Sequence, residues 1–260
     1  MNIDIMASRS IMVVMRFLFA LLLVCARLGQ AGAATDDARA VIAQVQERLR
    51  ADASWARYEM HIVTPEWQRS LRFDAWDDRK GRRFLIRMRA PRKERGVSWL
   101  KDGANLWMYL PRLERDIRIP PSMMLSSWMG SDFTNDDLVK MESLVDDYRH
   151  RILAEDGQTI TIESLPRPEA AVVWGRIVHV VGRDGLPRQD DYYDEHGRHV
   201  RRLIFSAPAV MDGRRIPTRW VMITDAKPGH RTELILKDVR FNPPLPDELF
   251  TRANLRRGLD

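Results

Sequence analysis

The chain has 260 residues, 45% of them hydrophobic and 30% charged, with a mean hydropathy of −0.37. That balance excludes a disordered tail and a polytopic membrane protein, and the length suffices for one all-β unit with a sizeable core. Lys and Arg total 42 against 36 Asp and Glu, a net charge of +6. The two signs are interspersed along nearly every segment, so no basic stripe marks a nucleic-acid footprint.

The N-terminal segment is expected to be a signal peptide, residues 1–33. Arg9 and Arg16 precede the apolar run Phe17 to Ala26, and Ala31-Gly32-Ala33 supplies the small residues of a cleavage site. The run is too short to span a bilayer, which takes about 20 apolar residues. Cys25, the one cysteine, lies inside it. Lipoprotein signals place a small residue just before the modified cysteine, and here Val24 stands there, so Cys25 is not read as an anchor. The mature chain then holds no cysteine, which excludes disulfides, thiolate metal sites and cysteine nucleophiles. Removing residues 1–33 takes three arginines and one aspartate with it and leaves a charge of +4.

From Asp36 the sequence DDARAVIAQVQERLRAD places Ala38, Val41, Ile42, Val45 and Leu49 at spacings of three and four. This predicts an amphipathic helix with one face to bury. After it the period changes to two. Strands are predicted at Tyr58 to Ile62, Trp67 to Trp76, Phe84 to Met88, Val97 to Leu100, Asn105 to Leu110, Tyr148 to Ala154, Thr159 to Leu165, Val172 to Val181, Val200 to Phe205, Ile216 to Thr224 and Thr232 to Phe241. Turn signals such as Asp102-Gly103, Asp156-Gly157, Asp184-Gly185 and Asp212-Gly213 fall between them. About ten strands joined by tight turns predict a mainly β (α+β) fold, a curled antiparallel β-sheet. Such a sheet must curl, and with too few strands to close it leaves a concave face that helices or loops can plug.

One segment breaks the rhythm, from Pro120 to Met141. Thr134 and Asp137 have the form of a capping box, which predicts a short helix there. Met123, Met124, Leu125, Trp128, Met129 and Phe133 crowd together just before it. They suit either a Met-rich lid over an apolar cavity or the completion of an ordinary core. Asn105 to Leu110 is apolar at both parities, so that strand is expected to be covered on both faces.

The run from Trp107-Met108-Tyr109-Leu110-Pro111 through Arg118 into SMMLSSWMGSDFTNDDL resembles the signature region of the LolA-like outer membrane lipoprotein-sorting protein family. The resemblance extends over residues 34–260 and implies a single LolA-like lipid-binding domain: a half-closed barrel, its concave face covered by helices and a lid loop, with an apolar cavity for acyl chains. It implies a periplasmic carrier or binding protein for a lipid or for the acyl moiety of lipoproteins, in outer-membrane lipid or lipoprotein trafficking, with an RND-type inner-membrane transporter and an outer-membrane acceptor as candidate partners. On that footing Trp99, Trp107, Tyr109, Met123, Met124, Trp128, Met129 and Phe133 are the candidate cavity or lid residues. Arg112, Arg115 and Arg118 are candidates for an anionic headgroup, the alternative being a solvated strand face.

No cofactor, metal or nucleic-acid partner is expected. The sequence lacks G-x-S-x-G, H-E-x-x-H and Walker A stretches. Asp190, Asp191, Asp194, Glu195, His196 and His199 are read as a polar hairpin turn, and Asp132, Asp136 and Asp137 through the capping box. Two other readings stay open: a lipid hydrolase using a serine such as Ser126 or Ser131, and an envelope adaptor that binds no lipid.

Overall fold

The structure, a computed structural model, describes residues 37–140 and 144–257. The expected signal peptide and the expected helix start at Asp36 lie outside these residues. Helix α1 covers 37–49. Thirteen strands follow: β1 (Ala53–Val63), β2 (Gln68–Asp78), β3 (Arg83–Ala90), β4 (Ser98–Asp102), β5 (Asn105–Leu110), β6 (Arg115–Ile119), β7 (Tyr148–Glu155), β8 (Thr159–Pro166), β9 (Arg176–Gly182), β10 (Pro187–Tyr193), β11 (His199–Met211), β12 (Arg214–Thr224) and β13 (Arg231–Phe241). Short helices α2 (Asn135–Lys140) and α3 (Leu144–Asp147) lie between β6 and β7, and α4 (Arg252–Leu255) ends the described chain.

All the strands belong to one antiparallel sheet of order β6-β5-β4-β3-β2-β1-β13-β12-β11-β10-β9-β8-β7. Each hairpin extends the sheet outward from the middle, where the first and last strands pair. The sheet curls but does not close, because β6 and β7 are its two free edges. It is an open half-barrel.

Period-two alternation gives the sheet two different faces. The inner face carries Met60, Ile62, Leu71, Phe73, Phe84, Ile86, Met88, Trp99 and Leu106, all buried in one cluster. Helix α1 covers part of this face, Ala38 and Ile42 packing on Ile162 of β8 and Leu49 reaching the cluster of Ile216 and Leu236. The outer face is laced by cross-strand ion pairs. Asp74 there is 1% exposed between Arg57 and Arg89, with Nε–Oδ1 and NH2–Oδ2 distances of 2.9 and 2.7 Å.

Two strands, β6 and β10, go beyond the expected set. Their sequences, RDIRI and PRQDDYY, are too polar to show alternation. One expected strand starts late. β9 begins at Arg176 and not at Val172, because the chain at Gly175 lies against β10's exit, where an added Cβ would be 2.5 Å from the Asp194 carbonyl oxygen.

Candidate functional site

Strands β6 and β7 are successive in the chain yet stand at opposite edges of the sheet, and the described residues that follow β6, 120–140, run across its inner face. That crossing is what covers the inner face. Trp128 is 3% exposed and meets Phe73 and Trp99 edge-on, at centroid distances of 5.3 and 5.5 Å. Met124, Met129, Leu138 and Val139 pack on the same cluster. Phe133 packs farther along the sheet against Leu203, Phe205 and Met222.

The crossing segment is shaped locally by its own polar groups. Trp128 N–H donates to Phe133 O at 2.7 Å, and Ser131 N–H and Oγ–H both donate to Trp128 O, at 2.9 and 2.6 Å. The turn so closed contains two successive left-handed residues, Met129 at φ 55° and Gly130 at φ 76°. Glycine suits the second, while Met129 holds a conformation that a side chain disfavours. The expected capping box forms: Thr134 N–H donates to Asp137 Oδ2 at 2.8 Å and Asp137 N–H to Thr134 Oγ1 at 3.2 Å.

Three polar tethers tie the segment to the strands beneath. Arg69 of β2 donates to Met129 O. Thr232 of β13 accepts from Asp132 N–H at 2.9 Å and donates to Asp132 Oδ2 at 2.8 Å. Arg201 of β11 makes a two-pronged ion pair with Asp137, one prong at 2.7 Å, while Trp174 and Tyr192 flank its guanidinium at 4.3 and 4.7 Å. Burial alone would lower the Arg201 pKa, but the Asp137 carboxylate outweighs it and holds the group above its ordinary value. Three polar atoms here, Asp132 Oδ1, Trp128 Nε1 and Arg201 Nε, are buried without a hydrogen-bond partner, and Lys227 Nζ lies 4.0 Å from Asp132 Oδ1.

The expected site residues divide between two places. Trp99, Met124, Trp128 and Met129 meet in one inner-face cluster, with Phe133 in the next. Met123 is on the solvent side of the segment, 47% exposed. Trp107 and Tyr109 lie on the outer face, because their parity is that of Leu100 and not of Trp99. They pack there with Leu85, Phe250 and Leu255 under the C-terminal segment, which is why this strand is apolar on both sides. Arg112, Arg115 and Arg118 are exposed. Ser131 is buried and spent on the turn, and Ser126 is exposed. Asp194 closes the β10–β11 turn by accepting from His196 N–H and Arg198 N–H, both at 2.9 Å.

Sequence reasoning missed the polar groups on the dry face. Arg201 shares parity with Leu203 and Phe205, and Thr232 with Leu234, so the available signal was a polar residue out of place in an apolar alternation. The same holds for a chain across β7 to β10. His150 Nδ1 lies 2.7 Å from Ser164 Oγ, His179 Nε2 is 3.0 Å from that oxygen, and His179 Nδ1 is 2.7 Å from Asp190 Oδ1. Burial pushes His150 down to about 4, so it is neutral at pH 7; its Nε2 lies 3.4 Å from the Val145 carbonyl, which only accepts, so Nε2 carries the proton and Nδ1 accepts from the Ser164 hydroxyl. The order is that of a hydrolase triad. Ser164, however, is 0% exposed, so no substrate carbonyl reaches it in this conformation and the chain is a structural one.

An open antiparallel half-barrel, its apolar inner face covered by a helix and a tethered crossing segment, is the LolA-like fold. Solved structures bear this out. A DUF1329 family protein from Desulfovibrio piger superposes with a TM-score of 0.76 at 22% identity, covering 85% of this chain and 99% of that one. A domain from Vibrio parahaemolyticus named for outer membrane lipoprotein sorting gives 0.73 at 23%, over 86% and 100%. A LolA superfamily protein from Nitrosomonas europaea gives 0.69 at 21%, over 84% and 98%. Within this class, residues 80–257 match the model of a family described as "Uncharacterized protein", and the chain belongs to that family. No curated protein matches the sequence.

Proposed function

We propose that the chain is a periplasmic carrier or binding protein for a lipid, or for the acyl moiety of a lipoprotein, with residues 120–140 as its lid. The observation that carries this reading is the inner face itself: large apolar clusters on an unclosed sheet, covered by a segment that Arg69, Thr232, Arg201 and Lys227 fasten down. Lifting the lid would uncover Phe73, Met88, Trp99, Leu203 and Phe205.

Magnitudes decide what cargo this suits. Each methylene removed from water contributes about 0.8 kcal/mol, so an acyl chain of about fifteen methylenes brings roughly 12 kcal/mol gross. Exposing the six large apolar side chains of the lid costs roughly 9–18 kcal/mol at about 1.5–3 kcal/mol each, and the tethers add several more. One acyl chain roughly balances the lid, and two exceed it. A diacyl cargo therefore binds with a modest net gain and can be surrendered to an acceptor, as a carrier requires. Flexible Met124 and Met129 adapt the cover to different chains.

The expected signal peptide supports export to the periplasm. Among the described residues no helix is long and apolar enough to cross a membrane. The name of the Vibrio parahaemolyticus neighbour and the shared fold support traffic toward the outer membrane, with an RND-type transporter as donor and an outer-membrane acceptor. The buried Ser164 supports binding over hydrolysis.

The reading is tested by uptake of a fluorescent-acyl phospholipid by the delipidated mature protein, wild type against Thr232→Val. Saturable uptake, faster in the variant because one tether is gone, is the expected result. Absence of uptake in both proteins rejects the carrier.

A further inference from the structure

In an antiparallel meander alternate turns fall at the same end of the sheet. The β1–β2 turn (64–67), the β3–β4 loop (91–97) and the β5–β6 turn (111–114) thus share one rim of the half-barrel. They touch. Arg69 NH1 lies 3.7 Å from Glu94 Oε1, and a Cβ on Gly96 would stand 3.2 Å from the Pro111 ring.

This rim departs from the rest of the surface in charge. Over the sheet, most arginines sit in ion pairs such as Arg57–Asp74, Arg151–Glu163, Arg202–Asp191 and Arg219–Glu233, and the exposed ones without an ion pair among the described residues, Arg72, Arg118, Arg149 and Arg231, stand on four different strands and not in a cluster. At the rim, Arg92, Lys93, Arg95, Arg112 and Arg115 are all exposed, and none makes an ion pair among the described residues. Within these three turns only Glu66 and Glu114 offset them, since Glu94 is held by Arg69; Asp225, in the β12–β13 loop that meets Pro65, is held by His199. The rim also departs in polarity. Trp67 and Leu113, at the tips of their turns, are 44% and 61% exposed.

Unpaired cations around a protruding indole and a leucine are the chemistry of a peripheral membrane contact. The cations meet lipid phosphates while the apolar tips enter the headgroup layer. We propose that this rim docks the protein on an anionic phospholipid surface, through Trp67 and Leu113 inserted among Arg92, Lys93, Arg95, Arg112 and Arg115. An acidic protein partner would use the cations but leaves the two apolar tips without a role, so the bilayer is the better fit. The rim is also where the lid is fastened. Arg69 holds Met129 O, and the Trp67 ring lies about 4.0 Å from where a Cβ of Gly130 would stand. Docking brings the bilayer to the lid's turn. The inference does not depend on the carrier reading, since a chain can dock without extracting lipid.

The test is co-sedimentation of the mature protein with vesicles of phosphatidylcholine alone and with about one third phosphatidylglycerol. Binding is expected only to the anionic vesicles, and to weaken with salt. With about 1 kcal/mol for each cation near the surface, the triple variant Arg92→Glu, Lys93→Glu, Arg95→Glu should bind at least about a hundredfold more weakly. Trp67→Ala with Leu113→Ala should lose roughly tenfold or more at unchanged charge. The control reverses Lys80, Arg82 and Arg183, which are exposed in turns at the opposite end. It should keep wild-type binding. Three results overturn the proposal: no binding by the wild type, an equal loss in the control, or retention on a polyglutamate resin without retention on vesicles. The last would point to an acidic protein instead.

Discussion

The Arg201–Asp137 pair joins α2 to β11, and its two ends are not equivalent. Arg201 is 3% exposed by side chain, closed in by Trp174 and Tyr192, and its Nε has no partner. Removing the carboxylate in Asp137→Ala therefore strands a buried cation and also cancels the capping box. Stranding a buried charge costs about 3–5 kcal/mol. In Arg201→Met, by contrast, Asp137 keeps the Thr134 N–H and hydroxyl donors at 2.8 and 2.9 Å and is 17% exposed to water. That change should cost about 1–3 kcal/mol, a lost hydrogen-bonded pair with its remaining partner still satisfied. The double variant Arg201→Met with Asp137→Ala removes the stranded charge and should recover much of the Asp137→Ala loss. For a chain of this length a kcal/mol moves Tm by about 2–4 °C, so Asp137→Ala should unfold about 10 °C below wild type. Thermal unfolding followed by circular dichroism measures all three proteins. An Asp137→Ala protein no less stable than Arg201→Met, or a double variant no better than Asp137→Ala, would refute the assignment of this pair as a buried clamp.

Three further outcomes follow from the same geometry. Trp128→Ala removes a buried indole from between Phe73 and Trp99 and should cost about 3–5 kcal/mol in urea unfolding, with increased binding of an apolar dye at the uncovered face. His150 has a folded pKa of about 4 against an ordinary 6.5, so its contribution is complete above 6.5 and is lost as pH falls toward 4. The loss should reach about 3 kcal/mol between pH 7.5 and 4, and His150→Gln should flatten that part of the profile. His199 should act in the opposite sense. Burial lowers its pKa, but Asp225 and Asp191 outweigh this and raise it, so its contribution is present below 6.5 and fades as pH rises through the raised value. A His199→Gln protein whose stability profile above pH 6.5 matched wild type would remove that pair from the account.

The hairpin meander was legible because each dry face repeats every second residue and Gly-containing turns punctuate the runs. The amphipathic α1 and the Thr134–Asp137 cap were legible for the same reason: each is a local pattern. What escaped was set by register over long separations. RDIRI became a strand only because β5 offers it an edge, and PRQDDYY only because β9 and β11 lie on either side. Trp107 and Trp99 are alike as sequence, yet pairing with Leu100 sends one outward and leaves the other inside. Arg201 and Thr232 were found by their neighbours across the sheet, 64 and 100 residues from the lid groups they hold. An inward polar residue in an apolar alternation is the one trace such a contact leaves in the sequence.

The central claim is that the covered inner face receives acyl chains. Native mass spectrometry with solvent extraction, on mature protein purified from the periplasm without detergent, tests it most directly. The account predicts a mass increment matching a diacyl lipid, carried over from the cell or taken up from added phospholipid. A protein that stays lipid-free, and remains so when phospholipid is supplied, would contradict it.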